Sequence, residues 1–220
     1  EDKNEAVAQA DLGRLERLAR DGAQAADARL LGWYYVQRQN HERAETWFRM
    51  ALDKEPTADA AEGLALVLIA RKAYAEAESS LYPWRDASDN AGRVYLAAVA
   101  NLLGLEPRQT LAPDVLARIV GEVAAARDIE AGQQLGWYAR AWQQHETAAQ
   151  WFSIVLRWNP DHESSAYGLA LTRHLLGDAA GLAEIKRQWA GRSERIEKVG
   201  VATTPPAVVP AGTNAQPAPV

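Results

Sequence analysis

The segment LGWYYVQRQNHERAETWFRMALDKEP, Leu31 to Pro56, recurs 104 residues later as LGWYARAWQQHETAAQWFSIVLRWNP, Leu135 to Pro160. A near-duplicate of this length limits the chain to architectures assembled from a returning unit, and the spacing of its apolar residues says what that unit is. Ala44, Trp47, Phe48, Ala51 and Leu52 stand at i, i+3, i+4, i+7 and i+8, which lines one face of a helix. Ala28, Leu31, Gly32 and Tyr35 line a comparable face on the helix before it. Only Gln39–Asn40 separates the two patterns, so they close into an antiparallel hairpin. Gly32 and Ala44 are small enough to let the two backbones approach. Pro56 then ends the second helix, because it lacks an N–H and restricts the residue before it.

The same reading extends over Asn4 to Glu197. Turn signals stand at Asp21–Gly22, Gln39–Asn40, Glu55–Pro56–Thr57, Arg71–Lys72, Pro83 to Asn90, Gly104 to Pro113, Asp128, Gln144, Asn159–Pro160–Asp161 and Gly177–Asp178. They delimit about eleven helices, with no alternating strand pattern, and predict an all-α chain. The longest apolar run, Gly63 to Ala70, is too short to span a bilayer. From Val199 the sequence VGVATTPPAVVPAGTNAQPAPV holds five prolines and no charge, and reads as a disordered linker over 199–220. The sequence begins at Glu1 and its single methionine is Met50, which reads as a processed or excised portion of a longer product. The lack of cysteine favours a periplasmic setting over the cytoplasmic alternative. Net charge is −5 with Lys and Arg scattered, so nothing here marks a nucleic-acid surface.

The order Leu31–Gly32, Tyr35, Ala44, Phe48, Ala51, Pro56 resembles the tetratricopeptide repeat, in its bacterial type with Trp-rich repeats, whose 34-residue unit carries Leu-Gly, Tyr, Ala, Phe, Ala and Pro in that sequence. Leu135–Gly136, Ala148, Phe152 and Pro160 give the pattern again, with Ala139 in place of Tyr and Val155 in place of Ala. Leu64–Ala65, Leu68, Tyr74, Ala77 and Leu81 follow it more loosely, as do Leu169–Ala170 and Gly177. The resemblance implies an α-solenoid over 25–198, with repeats near 25–57, 58–91, an irregular 92–128, 129–162 and 163–197, preceded by a packing or capping helix in 1–24. Each hairpin covers its neighbour's apolar face. A recurrence at 104 then equals three periods plus two inserted residues, which the Gly104 to Pro113 turn absorbs.

Chemistry-bearing motifs are few. There is no Gly-rich phosphate loop, no paired histidine on one helical turn and no thiol. His41 and His145 are repeat equivalents, held about 30 Å apart in a stack of ~10 Å helix layers, and cannot share a metal. His162 and His174 lack partners at ligand spacing. Asp59, Glu62, Glu76 and Glu78 read as a solvated face, and Ser79–Ser80 and Ser164–Ser165 as helical serines without a base. No cofactor, metal or catalytic role is expected. The resemblance does imply a concave groove lined by the first helices, at Arg29, Trp33 and Gln37; Glu62, Leu66 and Ile69; Gln133, Trp137 and Arg140; and Tyr167, Leu171 and His174. Aromatic rings beside Arg and Gln suit recognition; the alternative is that Trp33 and Trp137 only pack against the next repeat. The expected function is a scaffold holding a protein partner by its groove or outer face in a bacterial multiprotein assembly. The alternative is a periplasmic glycan-binding domain of polysaccharide export, with cellulose-like polymers stacked on and hydrogen-bonded by Trp33, Trp137, Tyr167 and Arg140.

Overall fold

The protein was analysed as a computed structural model, which describes residues 9–22 and 24–201. Residues 1–8, and the Pro/Ala-rich stretch from 202 onward that the sequence marks as a linker, lie outside the described residues. Among the described residues there are twelve α-helices and no strand: α1 Gln9–Asp21, α2 Ala25–Gln37, α3 His41–Lys54, α4 Ala58–Ala70, α5 Tyr74–Leu81, α6 Asp89–Leu103, α7 Pro113–Ala126, α8 Ile129–Ala141, α9 His145–Trp158, α10 Glu163–Leu175, α11 Ala179–Gln188 and α12 Glu194–Glu197. A 3₁₀ turn, Tyr82–Trp84, follows α5.

Six of the described helices begin where short polar side chains satisfy the first free amides. Asn40, Thr57, Ser88, Asp128, Asp178 and Ser193 each accept a backbone N–H three residues on. The turn inside each regular hairpin is also uniform. Gln39, Lys72, Gln143 and Gly177 all have positive φ, at +56°, +62°, +58° and +70°, so the chain reverses through one left-handed residue in four hairpins. Only the last is glycine.

Hairpins α2/α3, α4/α5, α8/α9 and α10/α11 stack in order. Their interior is set by two phenylalanines. Phe48 is fully buried, and a Cβ on Gly32 of its own hairpin or on Gly63 of the next would stand 2.7 or 2.3 Å from its ring. Phe152 repeats the arrangement between Gly136 and Gly168, at 2.6 and 2.5 Å. Each ring is thus clamped between two bare backbones, one from each of two consecutive units. Ala44 and Ala148, both without exposed surface, lie beside the rings in the same interior. Pro56 and Pro160 are exposed, so their part is conformational.

The third unit departs from the expected spacing. First-helix caps fall at Gln24, Thr57, Ser88, Asp128 and His162, so the second unit is shorter than the period and the third longer. Pro83 explains the shortening, since it ends α5 after eight residues. The boundary placed at 91/92 therefore lies inside α6. The third unit has no left-handed hinge; residues 104–112 cross to α7, which packs on α8 and, through side chains, on α5. At the other end Val199, read as the first linker residue, is buried, and the folded part continues to Gly200. α12 occupies the place of a further first helix, packed on α10 and α11.

One acidic residue contradicts its sequence reading. Glu78, assigned to a solvated face, is 1% exposed. It accepts Tyr95 Oη at 3.0 Å and Arg118 Nε at 2.9 Å, with Arg118 Nη2 on its second oxygen. A carboxylate on α5, a tyrosine on α6 and an arginine on α7 seal three helices together. Glu16 on α1, Tyr35 on α2 and Arg43 on α3 make the same arrangement: the Tyr35 hydroxyl donates to Glu16 and accepts Arg43 Nη1 at 2.7 Å. Burial raises both tyrosines above the usual phenol value, and the neighbouring glutamate adds to it.

Candidate interaction groove

Consecutive first helices pack directly on one another, α2 on α4, α4 on α6, α6 on α8 and α8 on α10, whereas consecutive second helices are not in comparable contact. The first helices therefore form the inner rank of the stack and present its inner face.

At the N-terminal end of that face Arg29 Nε lies 3.0 Å from Asp59 Oδ2, and Trp33 Nε1 donates to the same oxygen at 3.4 Å. The Trp33 ring stands edge-on to Phe48, centroids 5.1 Å apart at 79°. Trp33 is half-buried; Gln37, one turn on, is exposed. Glu62 on α4 accepts the side-chain amide of Asn90 on α6. Leu66 and Ile69 are partly buried against the core.

Near the other end, Trp137 stands edge-on to Phe152, centroids 5.0 Å apart at 71°, and 6.5 Å from Tyr167. Arg140 lies over the Trp137 ring at 5.6 Å, and its Nε is buried with no acceptor among the described residues. Gln133 is half-buried beside this cluster. Tyr167 is covered by Arg195 at 4.6 Å, whose guanidinium also holds Glu163. That bond, with Ser193 adding to it, keeps the Glu163 carboxyl below the usual carboxylate range. His174 is exposed, but the backbone of Gly200 lies against it: a Cβ there would be 2.9 Å from Nδ1, and φ is +71°. The segment after α12 thus lies against the last tier.

Trp33 and Trp137 are therefore packing residues that are not fully covered. The structure brings Arg29 and Trp33 together, and Trp137, Arg140 and Tyr167 together; it keeps the two clusters apart, with α4 and α6 between. Sequence reasoning assigned no groove residue to α6. There Asn90, Arg93, Ala97, Ala100 and Asn101 lie off the buried stripe of Ala91, Val94, Tyr95, Ala98 and Leu102. Ala97, Ala100 and Asn101 border a cavity of about 660 Å³ whose other walls include Tyr74, Glu130 and Gln134. The helical spacing of the buried stripe was the available signal, but alanine carries no signature of a binding face.

Ser165 Oγ is 2.9 Å from His162 Nδ1, a pairing the sequence reading passed over, and Glu130 is 4.0 Å from His162 Nε2. Ser165 is wholly buried, so no substrate carbonyl reaches its oxygen, and the contact belongs to the start of α10. Among the described residues no three His, Asp or Glu side chains are grouped to hold a metal. No described helix is long and apolar enough to cross a membrane.

Stacked hairpins with an inner rank of first helices define an α-solenoid. No protein-family model and no curated protein matches the chain in sequence. Among solved structures it is similar to YrrB, described as a TPR protein with an unusual peptide-binding site, at 16% identity and a TM-score of 0.51, over 83% of this chain and 94% of that one. It is also similar to residues 41 to the end of MamA from Desulfovibrio magneticus RS-1, at 15% identity and a TM-score of 0.52, over 77% of this chain and 97% of that one. The fold is the tetratricopeptide-repeat fold.

Proposed function

We propose that the chain is a non-catalytic scaffold that holds a peptide segment of a protein partner along the inner face of α2, α4, α6, α8 and α10. The observation that carries this reading is the layout of that face. Two half-buried tryptophans with arginines beside them, Arg29–Trp33 and Trp137–Arg140, stand on either side of a hollow floored by Ala97 and Ala100. Rigid aromatic rings offer contact area at small entropic cost, and guanidinium groups supply planar donors for carboxylates and peptide carbonyls. The buried, unpartnered Nε of Arg140 is one such donor. Of the proteins sharing the fold, YrrB is described with a peptide-binding site.

The test is selection of a displayed peptide library on the chain, followed by titration of the selected peptides. Ala97→Glu fills the hollow from an exposed position and is expected to weaken them at least about tenfold while leaving the thermal melt unchanged. Soluble β-glucan oligomers, titrated in parallel, are expected to leave tryptophan emission unchanged. A saturable glucan response removed by Ala97→Glu would transfer the groove to polysaccharide.

A further inference from the structure

The 104-residue recurrence reaches further back than its obvious segment. α1, Gln9–Asp21, has its copy in α7, Pro113–Ala126, and α2 has its copy in α8, so the face formed by α1 and α2 exists twice in the molecule. In the second copy it is covered. Ile119 has no exposed surface, Leu135 and Tyr138 are buried, and Gln134 lies against the end of α6 at Gly104. The covering elements are α6, which packs on α8 and presents Val99, Leu102 and Leu103, and α5, whose Glu78 holds Arg118 of α7.

In the first copy the equivalent positions lie open. Leu15, matching Ile119, is 49% exposed; Leu30, matching Gln134, is 64% exposed; Leu18 is 58% exposed. With Leu12, Leu31 and Tyr34 they line an apolar groove of about 340 Å³. Scattered exposed leucines are ordinary, but three along one groove make a patch of the kind that marks an interaction site. The rim carries both signs, with Asp11, Arg14, Arg17 and Asp27 exposed, as suits a polar border around an apolar centre.

We propose that this face is a docking site for an amphipathic helix of a partner protein, seated against α2 and over α1 as α6 is seated against α8. The covered copy supplies the chemistry of the occupant: about four helical turns, with alanine, valine and leucine on the buried side. This surface is separate from the inner groove and stands independently of the function proposed for it.

A fluorescein-labelled peptide of residues 86–105 serves as the probe, its anisotropy followed against the full chain. Saturable binding is expected, weakened at least about tenfold by Leu15→Asp and by Leu30→Asp. Both residues are exposed, and circular dichroism melts confirm that the variants remain folded; Leu30→Asp lies on the well-packed α2 and decides the matter if α1 is lost from the other. Leu175→Asp, on a distant exposed leucine, and Ala97→Glu, in the inner groove, are expected to leave the peptide affinity unchanged. Absence of saturable binding overturns the proposal, as does binding indifferent to both aspartates. Light scattering that shows the chain alone to be a dimer dissolved by Leu30→Asp also overturns it, because the occupant is then a second copy.

Discussion

The helices α1–α3 and α7–α9 recur at matching positions 104 residues apart and are closed with different chemistry. Both have the left-handed hinge, Gln39 or Gln143, and both have the clamped ring, Phe48 or Phe152. They part at the seam between the three helices. The first copy seals it with Glu16, Tyr35 and Arg43; the second has Val120, Ala139 and Thr147 at those positions. All three members change together. A buried polar network is stable when complete and costly when one member is missing, so replacement of the set is the route that leaves no orphan. The ends differ likewise. Lys54 donates to the carbonyls of Ala19, Arg20 and Gly22 at the close of α1, where the second copy has Trp158 packed against Gly132. The shared frame is thus the glycine–phenylalanine clamp and the hinge, while the seam accepts either polar or apolar closure.

If the clamp is the shared frame, removing either ring should cost the same. Phe48→Ala and Phe152→Ala are each expected to lose about 3–5 kcal/mol, the range for deleting a buried ring that leaves a cavity. The glycine backbones on either side cannot move into the space without breaking their helices. Denaturant unfolding of the two variants measures it. A loss under about 1 kcal/mol at one ring and a full loss at the other would break the equivalence.

The clamp was half legible in the sequence. Gly32 and Phe48 stand in a pattern that names them, but Gly63 sits inside the run GLALVLIA, where it reads as one more apolar position. Its role depends on a ring supplied by the preceding hairpin, a contact that local spacing does not encode. The equivalence of α1 and α7 was hidden for the opposite reason: their positions match while Glu16 faces Val120 and Leu18 faces Glu122 in the alignment of the two copies. Glu78 misled because a glutamate at helical spacing is usually solvated, and its burial depends on Tyr95 and Arg118 from two later helices. Of the inner face, the stripes on α2 and α8 followed from the repeat register. The one on α6 did not, since Pro83 shortens the unit before it and shifts its start. Whether Trp33 and Trp137 pack or stand open is not encoded in ring size; each packs on a core phenylalanine and stays half-buried.

The two polar seams differ in depth, and that sharpens the comparison. Glu78 is 1% exposed against an arginine at 24%, whereas Glu16 and Arg43 are 14% and 53% exposed. Glu78→Ala leaves a tyrosine hydroxyl and a guanidinium without their acceptor in a dry place, and is expected to cost about 1.5–3 kcal/mol. Glu16→Ala leaves groups that water can reach and is expected to cost about 1 kcal/mol or less. Unfolding free energies of the two variants decide it; equal losses would mean that depth is irrelevant at these seams.

The smallest effect isolates the tyrosines. Tyr95 is held neutral chiefly by burial and then by the charge of Glu78, so its folded-state pKa is raised above the ordinary 10.0. A raised folded-state value gives stability that is fully present below the unfolded value and is lost as pH rises beyond it, because only the unfolded chain can release the proton. The loss is limited to about 1.4 kcal/mol per pH unit for one group, and stays under about 1 kcal/mol half a unit above the ordinary value. Tyr35 shifts in the same direction, with burial the leading cause and Arg43 partly opposing it, so its share is expected to be smaller. Ala139, at the same place in the second copy, has nothing to titrate. The unfolding free energy between pH 9 and 11 should therefore fall in the parent chain, fall less in Tyr35→Phe and least in Tyr95→Phe. A decline of the same steepness in all three would locate the alkaline sensitivity outside the seams and remove the distinction between a polar and an apolar closure as a source of pH dependence.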